Sequence, residues 1–89
     1  MGQKIVEALS YISPASLDYQ TWVNVGMALK YEGLPLSVWD EWSRNDSRYH
    51  AGECEKKWES FNGNLNPVTG ATIIQLAKEN GMTFGIGED

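Results

Sequence analysis

His50 and Cys54 stand four residues apart, and on a helix that spacing puts both side chains on one face. There they could share a metal ion or act as a base and a nucleophile. The composition completes neither chemistry. Zinc takes three or four ligands of this kind, and these are the only histidine and the only cysteine in 89 residues. A cysteine nucleophile needs a third group to orient its base, and no flanking motif supplies that or an oxyanion hole. Cys54 also lies four residues before Trp58 and seven before Phe61, which reads as an apolar stripe and makes it a buried structural thiol. The acidic clusters Asp40–Glu41, Glu53–Glu55–Glu59 and Glu88–Asp89 read as solvated helix faces, not as paired catalytic carboxylates. GMTFGIG, residues 81–87, follows a helical pattern and lacks the Lys-Ser/Thr of a phosphate-binding loop. No catalytic residue, metal site or cofactor is therefore assigned.

One chemistry survives, which is contact with phosphate and with unpaired bases. Arg44, Arg48, Lys56 and Lys57 are four of the seven basic residues, and Tyr49 and His50 lie between them. Arginine and lysine neutralise phosphate, while tyrosine or histidine can stack on an unpaired base. From Arg44 to Lys57 there are four bases against three acids, a net of +1; the remainder has three bases against nine acids, a net of −6. The total of −5 argues against nucleic-acid binding over the whole surface, and the interleaved Glu53, Glu55 and Glu59 repel phosphate. The candidate nucleic-acid-binding residues are Arg44, Arg48, Tyr49, Lys56 and Lys57. The competing reading of the same residues is a solubilising face.

The elements that must position them are helical. Ile5, Ala8, Leu9 and Ile12 recur at i, i+3, i+4 and i+7, one buried stripe over Lys4–Ile12, and Ser13-Pro14 ends it. Ser16 and Asp18 are candidate N-caps for a second helix, DYQTWVNVGMALKYEG, which Gly33 closes in the left-handed conformation. Trp22, Val25 and Leu29 line its inner face, and Val23 and Met27 widen it. Gly26 in mid-helix costs about 1 kcal/mol against alanine, a cost that close approach of a neighbouring aromatic ring would justify. A third helix starts near Pro35 and carries Leu36, Trp39 and Trp42; a polar turn, SRNDSRYH, follows it. A fourth covers roughly Gly52 to Phe61. After the loop NGNLNP, Thr69 caps a fifth whose inner face is Ile73, Leu76 and Ala77, and Gly81 stops it.

The fold class expected is all-α: a compact orthogonal bundle of about five short helices in one domain, residues 1–81, with residues 82–89 an extended tail or linker remnant. A chain of this size buries only about 60–65% of its unfolded surface. Four Trp, four Tyr and two Phe compensate for that, each burying roughly 150–250 Å². The lone cysteine fits a reducing cytoplasm, and no apolar run reaches the ~18 residues that cross a bilayer, so no membrane association is expected.

The blocks W-x-x-x-G-M-A-L at Trp22–Leu29, W-D-x-W-S at Trp39–Ser43 and E-C-x-x-K-W-x-S-F at Glu53–Phe61, followed by NPVTGATIIQLAKENG, occur in one order over about Ala8–Gly81. In that combination the chain resembles the primase C-terminal domain of the second type. This is a helical module that accompanies the catalytic core or the helicase in primases and primase-helicases of phages and mobile elements. The resemblance implies a noncatalytic accessory role in DNA replication, engaging single-stranded or template DNA, positioning the primase core or helicase, or both. It carries no assigned site residues, so the contact set rests on charge alone. A module that docks protein without touching DNA is the alternative, and its mark would be surplus aromatics such as Tyr31, Tyr49 or Phe84 exposed together in one apolar patch. E-C-E-K-K-W at Glu53–Trp58 also looks like the third helix of Myb-type DNA-binding repeats. The flanking glutamates and the missing basic arm depart from that pattern, which leaves a shared packing solution.

Overall fold

A computed structural model describes residues 2–61 and 67–82. Five α-helices order the described chain: α1 (Gly2–Leu9), α2 (Tyr19–Tyr31), α3 (Leu36–Ser43), α4 (Glu53–Glu59) and α5 (Gly70–Glu79). A short 3-10 turn, Pro14–Ser16, links α1 to α2, and there is no strand among the described residues. The fold is all-α. Of the expected loop at 62–67 only Pro67 is described, and of the expected tail at 82–89 only Met82; the rest lies outside the described residues.

The apolar stripe predicted for Lys4–Ile12 is buried in full, with Ile5, Ala8, Leu9 and Ile12 all within the core. The helix itself ends at Leu9. Ser10, Tyr11 and Ile12 then donate to carbonyls three residues back, so the last turn tightens and still delivers Ile12 inward before Pro14. Asp18 is the cap of α2, its carboxylate accepting from the Thr21 N–H at 3.0 Å. Hydrogen bonding to Thr21, from its side chain first and its backbone N–H second, holds Asp18 below the usual carboxylate range. At the far end Gly33 adopts φ +84°, and Leu34 N–H reaches the Leu29 carbonyl at 3.0 Å. Gly81 and Met82 repeat this turn after α5, bonding the Met82 N–H to Ala77 and burying the Met82 side chain.

α2 is the central helix, packed against α3, α4 and α5, while α1 lies on α5. Its contact with α3 is a glycine under a tryptophan. Trp39 is fully buried, and a Cβ placed on Gly26 would lie 2.5 Å from its six-membered ring. The ring expected above Gly26 is therefore Trp39. Trp22 stacks on Trp39 at 4.5 Å between centroids, and Trp58 and Phe61 close round it at 5.9 and 5.5 Å.

Two indole N–H groups fix how their rings sit, whereas the buried Trp39 N–H has no partner among the described residues. Trp22 donates to the Ser43 hydroxyl at 2.8 Å, and Trp42 donates to the Ile12 carbonyl at 2.9 Å. These two bonds tie α3 to α2 and to the end of α1, because a buried N–H left unpaired is costly. At the start of α5 the Thr69 hydroxyl accepts from the Ala71 N–H. Glu32, just past α2, accepts from the Gly70 N–H at 2.8 Å and adds a second, remote cap.

Candidate nucleic-acid interface

The corner between α3 and α4 carries all five residues that charge and chemistry single out, and the fold uses them differently. It is a run of tight turns. Asp46 N–H donates to Ser43, Tyr49 N–H to Asp46 and Glu53 N–H to His50, so much of the backbone bonding of the polar stretch SRNDSRYH is local.

Arg48 faces inward. Its guanidinium donates to Asp46 at 2.7 Å and to the carbonyls of Leu17 and Pro14 at 2.9 and 3.3 Å, stapling the 3-10 turn to the corner. Asp46 is buried and accepts from the Arg48 backbone N–H as well. Hydrogen bonds from Arg48 hold the Asp46 carboxyl below the usual range. A depressed folded-state pKa stabilises the fold above the ordinary carboxylate value near about 4, and that contribution is lost as pH falls through the lowered value. Asp18 titrates in the same sense. Thermal melts of the protein should therefore show Tm falling below about pH 4, with a smaller fall in an Asp46→Asn variant. An equal fall in both would remove Asp46 from the acid response.

Arg44 and Tyr49 share a different carboxylate. The Tyr49 hydroxyl donates to one oxygen of Asp40 at 2.8 Å, and Arg44 pairs with the other at 3.1 Å. The Arg44 guanidinium also stands 5.5 Å from the Tyr49 ring. Its bond to Asp40 pushes the Tyr49 hydroxyl up in pKa and keeps it protonated. Tyr49 is half-buried against the core, so its ring is engaged within the fold.

Lys56 and Lys57 stand on α4 with no carboxylate partner among the described residues. Lys56 is exposed. Lys57 lays its ammonium 5.5 Å from the centroid of the Tyr19 ring, across on α2. The opposite side of α4 faces the core through Cys54, as the stripe Cys54, Trp58, Phe61 predicts. Lys30 closes the carbonyl end of α4, donating to Trp58 and Phe61 at 2.8 and 3.1 Å. The two arginines are thus neutralised in place, and the positive charge left over at the corner is that of the two lysines.

His50 and Cys54 do not meet as ligands. The His50 side chain is 82% exposed and faces Glu53 at 4.0 Å, whereas the Cys54 thiol is fully buried beside Ser43. Burial pushes the Cys54 thiol up in pKa, so it stays protonated. Among the described residues no group of three or more His, Cys, Asp or Glu side chains could hold a metal, and no helix is long and apolar enough to cross a membrane. A disulfide reagent added to native protein should leave Cys54 unmodified over the time in which urea-unfolded protein reacts fully. Prompt reaction of the native thiol would contradict the burial.

A family model described as Primase C terminal 2 (PriCT-2) matches residues 5–77, a span that takes in α2, α3 and α4 whole and most of α1 and α5. The chain belongs to that family. No curated protein and no solved structure matches it. As a PriCT-2 domain it is placed with the C-terminal domains of primases, and the matched span includes both the Arg48 staple and the α4 lysines.

The PriCT-2 domain has one surface residue that the sequence reading passes over. Tyr19 opens α2, is 53% exposed, and lies 5.6 Å from the Trp22 ring. Its signal was its spacing, three residues before Trp22 on the same helix face, in a first turn read only for its cap. The residues expected of a docking patch are only partly described. Tyr31 is exposed, Tyr49 is turned into the Asp40 bond, and Phe84 lies outside the described residues.

Proposed function

We propose that this PriCT-2 domain is a noncatalytic accessory module of a DNA primase or primase-helicase that engages template DNA through α4 and holds it relative to the catalytic core. The observation that carries this reading is the pair Lys56 and Lys57, left without a carboxylate partner among the described residues where Asp40 and Asp46 take up the neighbouring arginines. Arg44 and Arg48 both remain largely exposed but are held by their carboxylate partners, and Tyr49 is turned to Asp40. The setting is the cytoplasm or nucleoid of a bacterial host, where the primase core or helicase would be the protein partner.

Fluorescence titration of a labelled single-stranded oligonucleotide at low salt tests the reading. With two phosphates neutralised, log K should fall against log salt with a slope of about −1.4, far shallower than that of a protein with a wide basic face. Absence of binding at high micromolar protein would falsify it. A second reading, a protein-docking module, has support in the shallow groove between α1 and α3. Val6, Leu9, Val38 and Trp42 line it, and Val6 is exposed. A primase core or helicase domain that binds the module equally well after reversal of the α4 charges would favour that alternative.

A further inference from the structure

Two lysines on a chain of net charge −5 are too few to hold a duplex, whose affinity comes from many phosphate contacts. A contact that survives on so little charge needs a second source of binding energy, and the exposed aromatic beside Lys57 is one. Tyr19 stands with its ring half open to solvent, the Lys57 ammonium 5.5 Å from its centroid and Trp22 behind it at 5.6 Å. It forms the rim of a cleft of about 70 Å³ that Arg48, Tyr49 and Glu53 also line. The Arg48–Asp46 pair at its wall is neutral, so the local charge is that of Lys57 against Glu53.

We propose that Tyr19 is a stacking platform for one unpaired base, with Lys57 on the adjacent phosphate, so that the DNA recognised is single-stranded. This rests on the DNA-engagement reading and names its substrate class and its aromatic contact. A base arriving on the ring displaces the Lys57 ammonium from the aromatic face to the phosphate. The exchange keeps the cation paired and leaves the Trp22–Trp39 stack untouched. Duplex DNA, whose base faces are covered by their neighbours, cannot make this contact, whereas every base in a single strand offers a face.

The test compares Tyr19→Ala and Tyr19→Phe with the unchanged protein, on a single-stranded oligonucleotide and on the duplex of the same sequence at one low salt concentration. Tyr19 is exposed, and an unchanged Tm verifies that each variant is folded. A 2-aminopurine in the single strand reports stacking by its quenching. Binding of the unchanged protein should favour the single strand by at least about tenfold, and Tyr19→Ala should erase about tenfold of that affinity and the quenching, while Tyr19→Phe keeps both. Equal binding to both DNAs that Tyr19→Ala leaves intact, with Lys56→Glu/Lys57→Glu still abolishing it, would overturn the platform and leave DNA engagement standing. No binding to either DNA by the unchanged protein would overturn both.

Discussion

Replacing Gly26 by alanine should lower stability by about 2 kcal/mol or more, although alanine is the better helix former by about 1 kcal/mol. The added methyl would sit 2.5 Å from two ring carbons of Trp39, where carbon atoms in contact settle at about 3.5–4.0 Å. About 1 Å of movement is needed, and the ring has nowhere to go. Trp22 covers it at 4.5 Å, Trp58 and Phe61 close the other sides, and no part of it reaches solvent. The backbone of α2 is equally held, by α3 and α4 on one side and α5 on another. In a domain of this size the loss corresponds to a fall in Tm of about 10 °C or more. Urea unfolding with an unchanged m-value would assign it to the native state. Adding Trp39→Phe, which removes the colliding ring, should return part of the loss, so the pair is coupled and not additive. A Gly26→Ala protein that melts at or above the parent temperature would show that the two helices do not approach this closely.

The same contact shows what the sequence could and could not disclose. Gly26 in the middle of an amphipathic helix signals that a ring passes there, but four tryptophans are available and spacing does not say which. Helices α2 to α5, with the caps Asp18 and Thr69 and the stops at Gly33 and Gly81, are legible because capping and periodicity are local properties. The family was legible for a related reason, since its blocks record core positions in order along the chain. The state of each charge was not. Arg48 and Lys57 look alike in sequence, and what separates them is a carboxylate two residues from one and a tyrosine 38 positions away from the other. Tyr49 was a reasonable base-stacking candidate until Asp40, nine residues back and close only through the α3–α4 corner, took its hydroxyl. Local pattern places side chains on faces of an element. Which cation remains available depends on contacts between elements.

That difference between the cations leads to the largest effect expected on function. Reversing both lysines, Lys56→Glu/Lys57→Glu, exchanges two attractive phosphate contacts for two repulsive ones on a helix that already displays Glu55 and Glu59. Single-stranded DNA affinity at low salt should fall by more than about tenfold, and the salt slope of about −1.4 should flatten towards zero. The fold should lose little: neither ammonium has a carboxylate partner among the described residues, and what goes is the Lys57 contact with Tyr19 and two favourable charges in the last turn of α4. Arg48→Ala should do the reverse. It removes the staple to Leu17 and Pro14 and leaves buried Asp46 without its partner, so Tm falls while the salt slope of the remaining folded protein stays where it was. Measuring affinity and melting on the same two variants separates a residue that touches DNA from one that holds the surface in shape. If Arg48→Ala flattened the slope and the lysine reversal did not, the contact would lie on the Arg48 side of the corner, and α4 would be only its support.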